Sequence, residues 1–298
     1  MNFRINFIKY SKIYYTFSIL LIIGSIISLF LFGLKFGIEF TGGSLMELEF
    51  QNERPSIDKI EPALTEFNLG EVTIQPVGEK GLLLRLKEIN EETHQKIISK
   101  INEISSINEL RFESIGPVIG QELKQKTILA IILALIAITF YIAFAFRKVS
   151  RPISSWRYGI TSLVALFHDV LIPLGIFSAL GRFYNIEITI PVVAALLTIL
   201  GYSVHDTIII FDRIRENLLR GRFQSFAETV NWSLNQTLGR SISTVFTVLI
   251  VLFAIFFFGG TTLKYFALAL IIGITSGAYS SIFIAAPLLV SWLGKRRI

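Results

Sequence analysis

Residues 197–217 read LTILGYSVHDTIIIFDRIREN, and they decide the fold class. With the residues before it, the stretch begins as an apolar helix long enough to cross a bilayer. It then sets His205 and Asp206 inside that helix, about a turn and a half before the charged run Asp212, Arg213, Arg215 and Glu216. A charge inside a membrane span is costly and normally faces a protein interior or a water-filled path. Function therefore turns on Asp206 and on the groups that keep it company.

Outward from that stretch, other apolar runs reach spanning length. They lie at about 13–34, 127–146, 158–180, 188–211 and 235–258, with a sixth inside 264–293. The chain of 298 residues is 52% hydrophobic with a mean hydropathy of +0.63, too apolar for an ordinary soluble domain. Basic clusters fall before the first run (Arg4, Lys9, Lys12) and after the second (Arg147, Lys148, Arg151, Arg157). They recur after the fourth (Arg213, Arg215, Arg220, Arg222) and at the end of the chain (Lys295, Arg296, Arg297). With six spans these positions share one side. The positive-inside rule then places both termini in the cytosol and residues 35–126 outside. The first run is too long for a cleaved signal peptide and lacks a small-residue cleavage pattern, so it is read as an uncleaved helix. The organisation expected is a cytosolic N-terminus and first helix over 1–34, an extracytoplasmic domain over 35–126, and helices two to six over 127–298.

The net charge of +6 does not point to nucleic acid. All but six of the 22 acids fall between Lys35 and Lys126, and the positive excess flanks the apolar runs. Cysteine is absent, which removes disulfide and thiolate chemistry. His94, His168 and His205 have no metal-ligand spacing. Neither a P-loop nor a nucleophile elbow is present. No cofactor, no metal and no enzymatic activity are expected.

Residues 35–126 differ in kind from the rest. Leu45, Leu48 and Phe50, with Met46, stand against Glu47 and Glu49, an alternation that predicts a strand. Ser56 starts a predicted helix through Phe67. Glu71–Val77 and Leu82–Lys87 read as two strands around Gly78-Glu79-Lys80-Gly81. A helix over 90–104 and a strand over 110–115 follow. The order β-α-β-β-α-β is that of a ferredoxin-like domain. Gly116-Pro117 then interrupts regular structure and predicts a hinge back into the membrane.

Inside the membrane the polar residues line up. Thr198, Tyr202 and Asp206 recur at i, i+4, i+8 on the fourth span. Gln236, Arg240, Ser243 or Thr244, and Thr247 form a stripe on the fifth, and Ser162, Ala165 and Asp169 another on the third, beside His168. The fourth span ends and the fifth begins on one side, so Asp206 and Arg240 are expected at one depth with opposite charge. Gly273 and Gly277 on the sixth span permit close helix approach.

These residues resemble the SecF family of protein-export membrane proteins. The resemblance is carried by Gly201-Tyr-Ser-Val-His-Asp-Thr-Ile-Ile-Ile-Phe-Asp-Arg-Ile-Arg-Glu-Asn217, by Phe40-Thr-Gly-Gly43, and by Ser114-Ile-Gly-Pro-Val-Ile-Gly-Gln-Glu-Leu123. Phe167-His-Asp-Val170 and Gln236-Thr-Leu-Gly-Arg240 extend it over nearly the whole chain. Where this chain has His205, the family usually has Asn. The resemblance implies six transmembrane helices of RND-like type with one extracytoplasmic ferredoxin-like α+β domain between the first and second. It implies a SecD-like partner acting beside the SecYEG channel in the bacterial inner membrane, using the proton-motive force to draw a translocating polypeptide outward. It also implies a proton relay of Asp206, Arg240 and Asp169, with His205, Tyr202, Thr198, His168, Gln236 and Thr244 supporting it. Membrane lipids complete the expected partners.

Two other readings compete. Half of an RND-like proton-driven exporter of small molecules or lipids would need larger outer domains than about ninety residues, which must first form their own core. A membrane scaffold would not need Asp206 and Arg240 inside spans.

Overall fold

The computed structural model describes residues 5–146, 153–221 and 223–294. Arg4, Arg147, Lys148, Arg151, Arg222 and Lys295–Arg297, on which part of the topology expectation rests, lie outside the described residues. In chain order the elements begin with α1 (Ser11–Phe32), α2 (Ile38–Thr41), β1 (Gly43–Phe50), α3 (Ile57–Thr65), β2 (Thr73–Val77) and β3 (Gly81–Leu86). They continue with α4 (Glu91–Ile104), β4 (Ile107–Ile115), α5 (Pro117–Ala145), α6 (Ser155–Tyr184), α7 (Ile190–Leu219) and α8 (Phe226–Phe258). The last stretch is α9 (Thr261–Ser280), a π-helical turn (Ser281–Ala285) and α10 (Ala286–Gly294). The chain divides into two compact units, Phe36–Ile128 and Met1–Lys35 with Leu129–Ile298.

The smaller unit is a four-stranded antiparallel sheet in the order β2-β3-β1-β4, with α3 and α4 supplying the rest of its core. This is the ferredoxin-like arrangement. The period of two decides the inner face of β1: Met46, Leu48 and Phe50 are wholly buried, while Leu45 shares the other face with Glu47 and Glu49. Leu45, grouped with Leu48 and Phe50 by hydrophobicity, stands on that other face and is buried there. Ile60, Leu64, Ile97 and Ile101 close the core from the helices. Truncating one of these aliphatic side chains to alanine costs about 2–5 kcal/mol. Strand β4 begins three residues earlier than expected. The register between β1 and β4 shifts after Glu47, which pairs with Arg111, while Leu48 pairs with Glu109. Leu110 is the extra residue and is exposed, as a bulge requires.

Asn90 caps α4 by accepting from the Thr93 amide. Ser56 precedes α3 without a side-chain capping bond. In α4, His94 is buried, stacked on Phe112 of β4 with ring centroids 3.7 Å apart. Its Nδ1 faces Glu91 at 3.1 Å and its Nε2 faces Glu109 at 2.7 Å, so the ring joins the helix to the edge strand. A bond from Gln95, then one from His94, hold the Glu91 carboxyl below its ordinary value of 4.5. A carboxyl lowered in the folded state stabilises it above the unfolded value, and that contribution is lost as pH falls through the folded one. Residues 35–126 expressed alone are expected to melt cooperatively, and at lower temperature as the pH is taken below 4.5.

The expected hinge is shorter than the sequence suggested. Strand β4 runs to Ile115 and α5 begins at Pro117, leaving Gly116 alone between them. Proline suits a first helical position because its missing N–H has no partner there in any case. Helix α5 therefore starts ten residues before the predicted 127. Its opening packs on the paired glycines after α2. Gly42 has φ +77°, and a Cβ there would meet Pro117 Cα at 2.7 Å. A Cβ on Gly120 would meet the Gly42 amide nitrogen at 2.9 Å. Two of the motifs quoted above thus pack on one another, backbone to backbone. Gly42→Ala in the 35–126 fragment should combine a left-handed backbone penalty with overpacking, about 2–4 kcal/mol together. That predicts a melting temperature lower by roughly 10–20 °C in a scanning calorimeter.

In the larger unit, six helices among the described residues are long and apolar enough to cross a membrane. In their most apolar windows α6, α7 and the run 263–293 are half buried or more, at 50%, 56% and 56%. The same windows of α1, α5 and α8 are 11%, 6% and 17% buried. The first three therefore form the inside of the bundle, while the others turn residues such as Phe30, Phe140 and Phe246 outward. Hydropathy follows the same division, at 2.0, 1.7 and 1.8 inside against 2.3, 2.8 and 2.6 outside. Lipid tails favour apolar surface, so polar residues collect where helices face helices. Glycine allows the closest approaches. A Cβ on Gly175 of α6 would strike Ser25 of α1, one on Gly273 of α9 would strike Ile199 of α7, and one on Gly277 would meet Ser203. Helices α7 and α8 both run further than predicted, so Asp212–Glu216 lies within α7 and not in a connecting stretch.

Candidate functional site

Two carboxylates lie within the bundle, and their surroundings differ. Asp169 on α6 is fully buried. Its Oδ2 accepts from Ser203 of α7 at 2.5 Å and from Ser280 of α9 at 2.6 Å. Its Oδ1 lies 2.8 Å from Nδ1 of His168 and accepts from Ser276 at 3.2 Å. Three helices thus converge on one carboxylate, with every oxygen satisfied. Beside this cluster Ser281, in the π turn, bonds the Thr207 hydroxyl of α7 at 2.8 Å. The Nε2 of His168 is buried without a partner, and the ring lies against Tyr279.

Asp206 on α7 is 1% exposed, yet its Oδ2 has no hydrogen-bond partner. The two basic side chains whose field reaches it are His205, the preceding residue, and Arg240 of α8. Asp206 and Arg240 form neither a hydrogen bond nor an ion pair among the described residues. The expected opposition of charges is not a contact. Tyr202, one turn earlier, also has a buried hydroxyl without a partner, as does Ser241 beside Arg240.

Next to Asp206 a polar surface runs along α7 and α8. Ala194, Thr198, Gly201 and His205 are exposed on α7, spaced i, i+4, i+7, i+11 along one face. On α8, Gln236, Gly239, Arg240, Ser243 and Thr247 are exposed. Thr198 satisfies its hydroxyl on the Ala194 carbonyl, and Thr244 does the same on Arg240. Gln236 accepts from Asn217 at 2.9 Å, tying the end of α7 to the start of α8.

Of the residues expected from sequence, His168 and Asp169 are joined, and Tyr202 and Asp206 share a buried flank of α7. Thr198, His205, Gln236 and Arg240 belong to the open face. Sequence reading missed Ser203, Ser276, Ser280 and Ser281. The signal existed: Ser276 and Ser280 are four apart and each stands three residues after a glycine of the Gly273/Gly277 pair.

Residues 94–295 match the family model described as protein export membrane protein SecD/SecF, C-terminal, and residues 27–53 match that of the SecD/SecF GG motif. The chain belongs to the SecF branch of the SecD/SecF family. The protein translocase subunit SecF of Thermobaculum terrenum is 46% identical, over 98% of this chain and 95% of its own. That of Vibrio alginolyticus is 39% identical, over 95% and 88%. The crystal structure of SecDF, a translocon-associated membrane protein from Thermus thermophilus, superposes with a TM-score of 0.85 at 34% identity. It covers 97% of this chain, which in turn spans 38% of that SecDF chain. SecDF in its super-membrane-facing form gives a TM-score of 0.70 over 40% of its length. Within SecF terms, Gly42-Gly43 is the GG motif: Pro117 and Gly120 crowd Gly42, and a Cβ on Gly43 would meet the Leu86 carbonyl oxygen at 2.8 Å. This SecF-family chain is a multi-pass membrane protein.

Proposed function

We propose that the chain is the SecF subunit of the Sec translocase accessory complex, a transport component that works with a SecD-like subunit. Together they use the proton-motive force to promote outward movement of secretory polypeptides through the SecYEG channel. The observation that carries this reading is the buried, unpartnered oxygen of Asp206 beside an open polar face on α7 and α8. Lipid tails offer no hydrogen bonds to His205, Gln236 or Arg240. A second bundle with matching polar groups would cover that face and complete a path for protons, and SecD is the complement in the SecDF relatives.

In this reading Asp206 carries the proton. A proton moving down the membrane potential supplies roughly 2.3 kcal/mol per 100 mV. Neutralising Asp206 removes its attraction to Arg240 and shifts the preferred arrangement of α7 against α8. Asp169 holds α6, α7 and α9 together, so motion at Asp206 is passed to the bundle as a whole. The relay is thus divided into a group that titrates and a group that transmits.

Pairs of cysteines test the partner surface. A cysteine at Thr198 or Ser243 is expected to cross-link to a co-expressed SecD-like subunit, whereas one at outward-facing Phe140 is not. Cross-linking from Phe140 alone would place the partner elsewhere and remove the basis of this reading. Orientation is tested separately. A cysteine at Ser99 should react with an impermeant thiol reagent added to intact cells, and one at Gln224 should not. The reverse pattern would invert the bacterial inner-membrane topology with both termini cytosolic and residues 35–126 outside.

A further inference from the structure

At one edge of the bundle, away from Asp206, the first turn of α6 meets the last turn of α10. Trp156 and Trp292 pack edge to face, with ring centroids 5.5 Å apart. The guanidinium of Arg157 lies 5.6 Å from the first ring and 5.4 Å from the second. Its Nε is buried without a hydrogen-bond partner, and no carboxylate pairs with it among the described residues. The first turn of α6 holds no acid, and neither does α10. Both indoles lie to one side of the guanidinium, whose side-chain N–H donors make no hydrogen bond among the described residues.

We propose that Arg157, Trp156 and Trp292 form a binding site for the phosphodiester headgroup of an anionic membrane phospholipid. Three features select that ligand. Both helices are membrane spans that end here, so the cluster lies at headgroup depth. The planar fork of arginine fits two non-bridging phosphate oxygens at once. Indoles favour the water–lipid boundary, where one edge is wet and the other contacts acyl chains. Among the described residues the cation has no counterion to compete with a lipid phosphate. The consequence is that an acidic lipid joins the start of α6 to the end of α10.

Bromine on a lipid chain quenches nearby indoles, and the protein has three tryptophans. With Trp232→Phe, emission comes from Trp156 and Trp292 alone. The full chain is reconstituted into phosphatidylcholine vesicles with a minor fraction of brominated phosphatidylglycerol. The control carries the same mole fraction of bromine on phosphatidylcholine. Phosphatidylglycerol is expected to be enriched at the indoles about fivefold over phosphatidylcholine. Arg157→Gln should remove the enrichment. Arg157→Lys, which keeps the charge and loses the fork, should leave a reduced one, and it serves if the glutamine variant does not fold. Equal quenching by the two lipids, or enrichment unchanged in both variants, would overturn the proposal. Loss of enrichment on adding inorganic phosphate would identify a site for a free oxyanion and overturn the lipid assignment.

Discussion

Asp206→Asn is expected to abolish the proton-driven part of protein export while leaving the chain inserted and bound to its partner. Asparagine keeps the size of the side chain and removes its ability to ionise. The structure gives the reason for so selective an effect. Oδ2 of Asp206 makes no hydrogen bond, so the substitution breaks none there. What disappears is a charge that His205 and Arg240 feel. The assay follows a secretory protein entering inverted vesicles after ATP is exhausted, with and without a gradient. The variant should lose essentially the whole response to the gradient, with unchanged melting in detergent. A full response in Asp206→Asn would make Asp206 a packing residue and end the mechanism proposed here. Arg240→Lys should weaken the response as well, since the flexible ammonium does not reproduce the fixed guanidinium fork.

The opposite pattern is expected at Asp169. Removing this carboxylate strands Ser203, Ser276, Ser280 and His168, which come from three helices. Breaking a buried hydrogen-bonded charge in this way costs about 3–5 kcal/mol. Asp169→Ala should therefore lower the temperature at which the protein aggregates in detergent and reduce its yield in the membrane. Asp169→Asn retains part of the network and should fall between the alanine variant and wild type. If Asp169→Ala is as stable as wild type but fails in gradient-driven export, Asp169 is a second titrating group and not a joint between helices.

The sequence displayed the chemistry at Asp206 more clearly than that at Asp169. A carboxylate inside an apolar run is visible in one dimension, and so are the basic clusters and the β-α-β-β-α-β order. The partners of Asp169 are serines, which are common, and their one trace in the sequence is the spacing of Ser276 and Ser280 behind Gly273 and Gly277. Their contact depends on how closely α9 approaches α7, and Gly273 and Gly277 set that distance. The helix starts were also hard to read, because Gly116-Pro117 looks like a long interruption when it is a single residue before a first-turn proline. The grouping of Leu45 with Leu48 and Phe50 came from hydrophobicity alone; strict alternation sets Met46 with them instead, and Leu45 is buried on the opposite face.

The π turn at 281–285 has a further consequence. It holds an extra residue within an otherwise α-helical run, so the stretches before and after it are out of phase by one position, about 100° of rotation. Ser276 and Ser280 are aimed by the first phase and Trp292 by the second. One transmembrane segment can in this way address the carboxylate of Asp169 with one end and Arg157 at the membrane edge with the other. Deleting a single residue within 281–285 would restore a uniform pitch and rotate one of those two sets of side chains out of place, although neither set would have been touched.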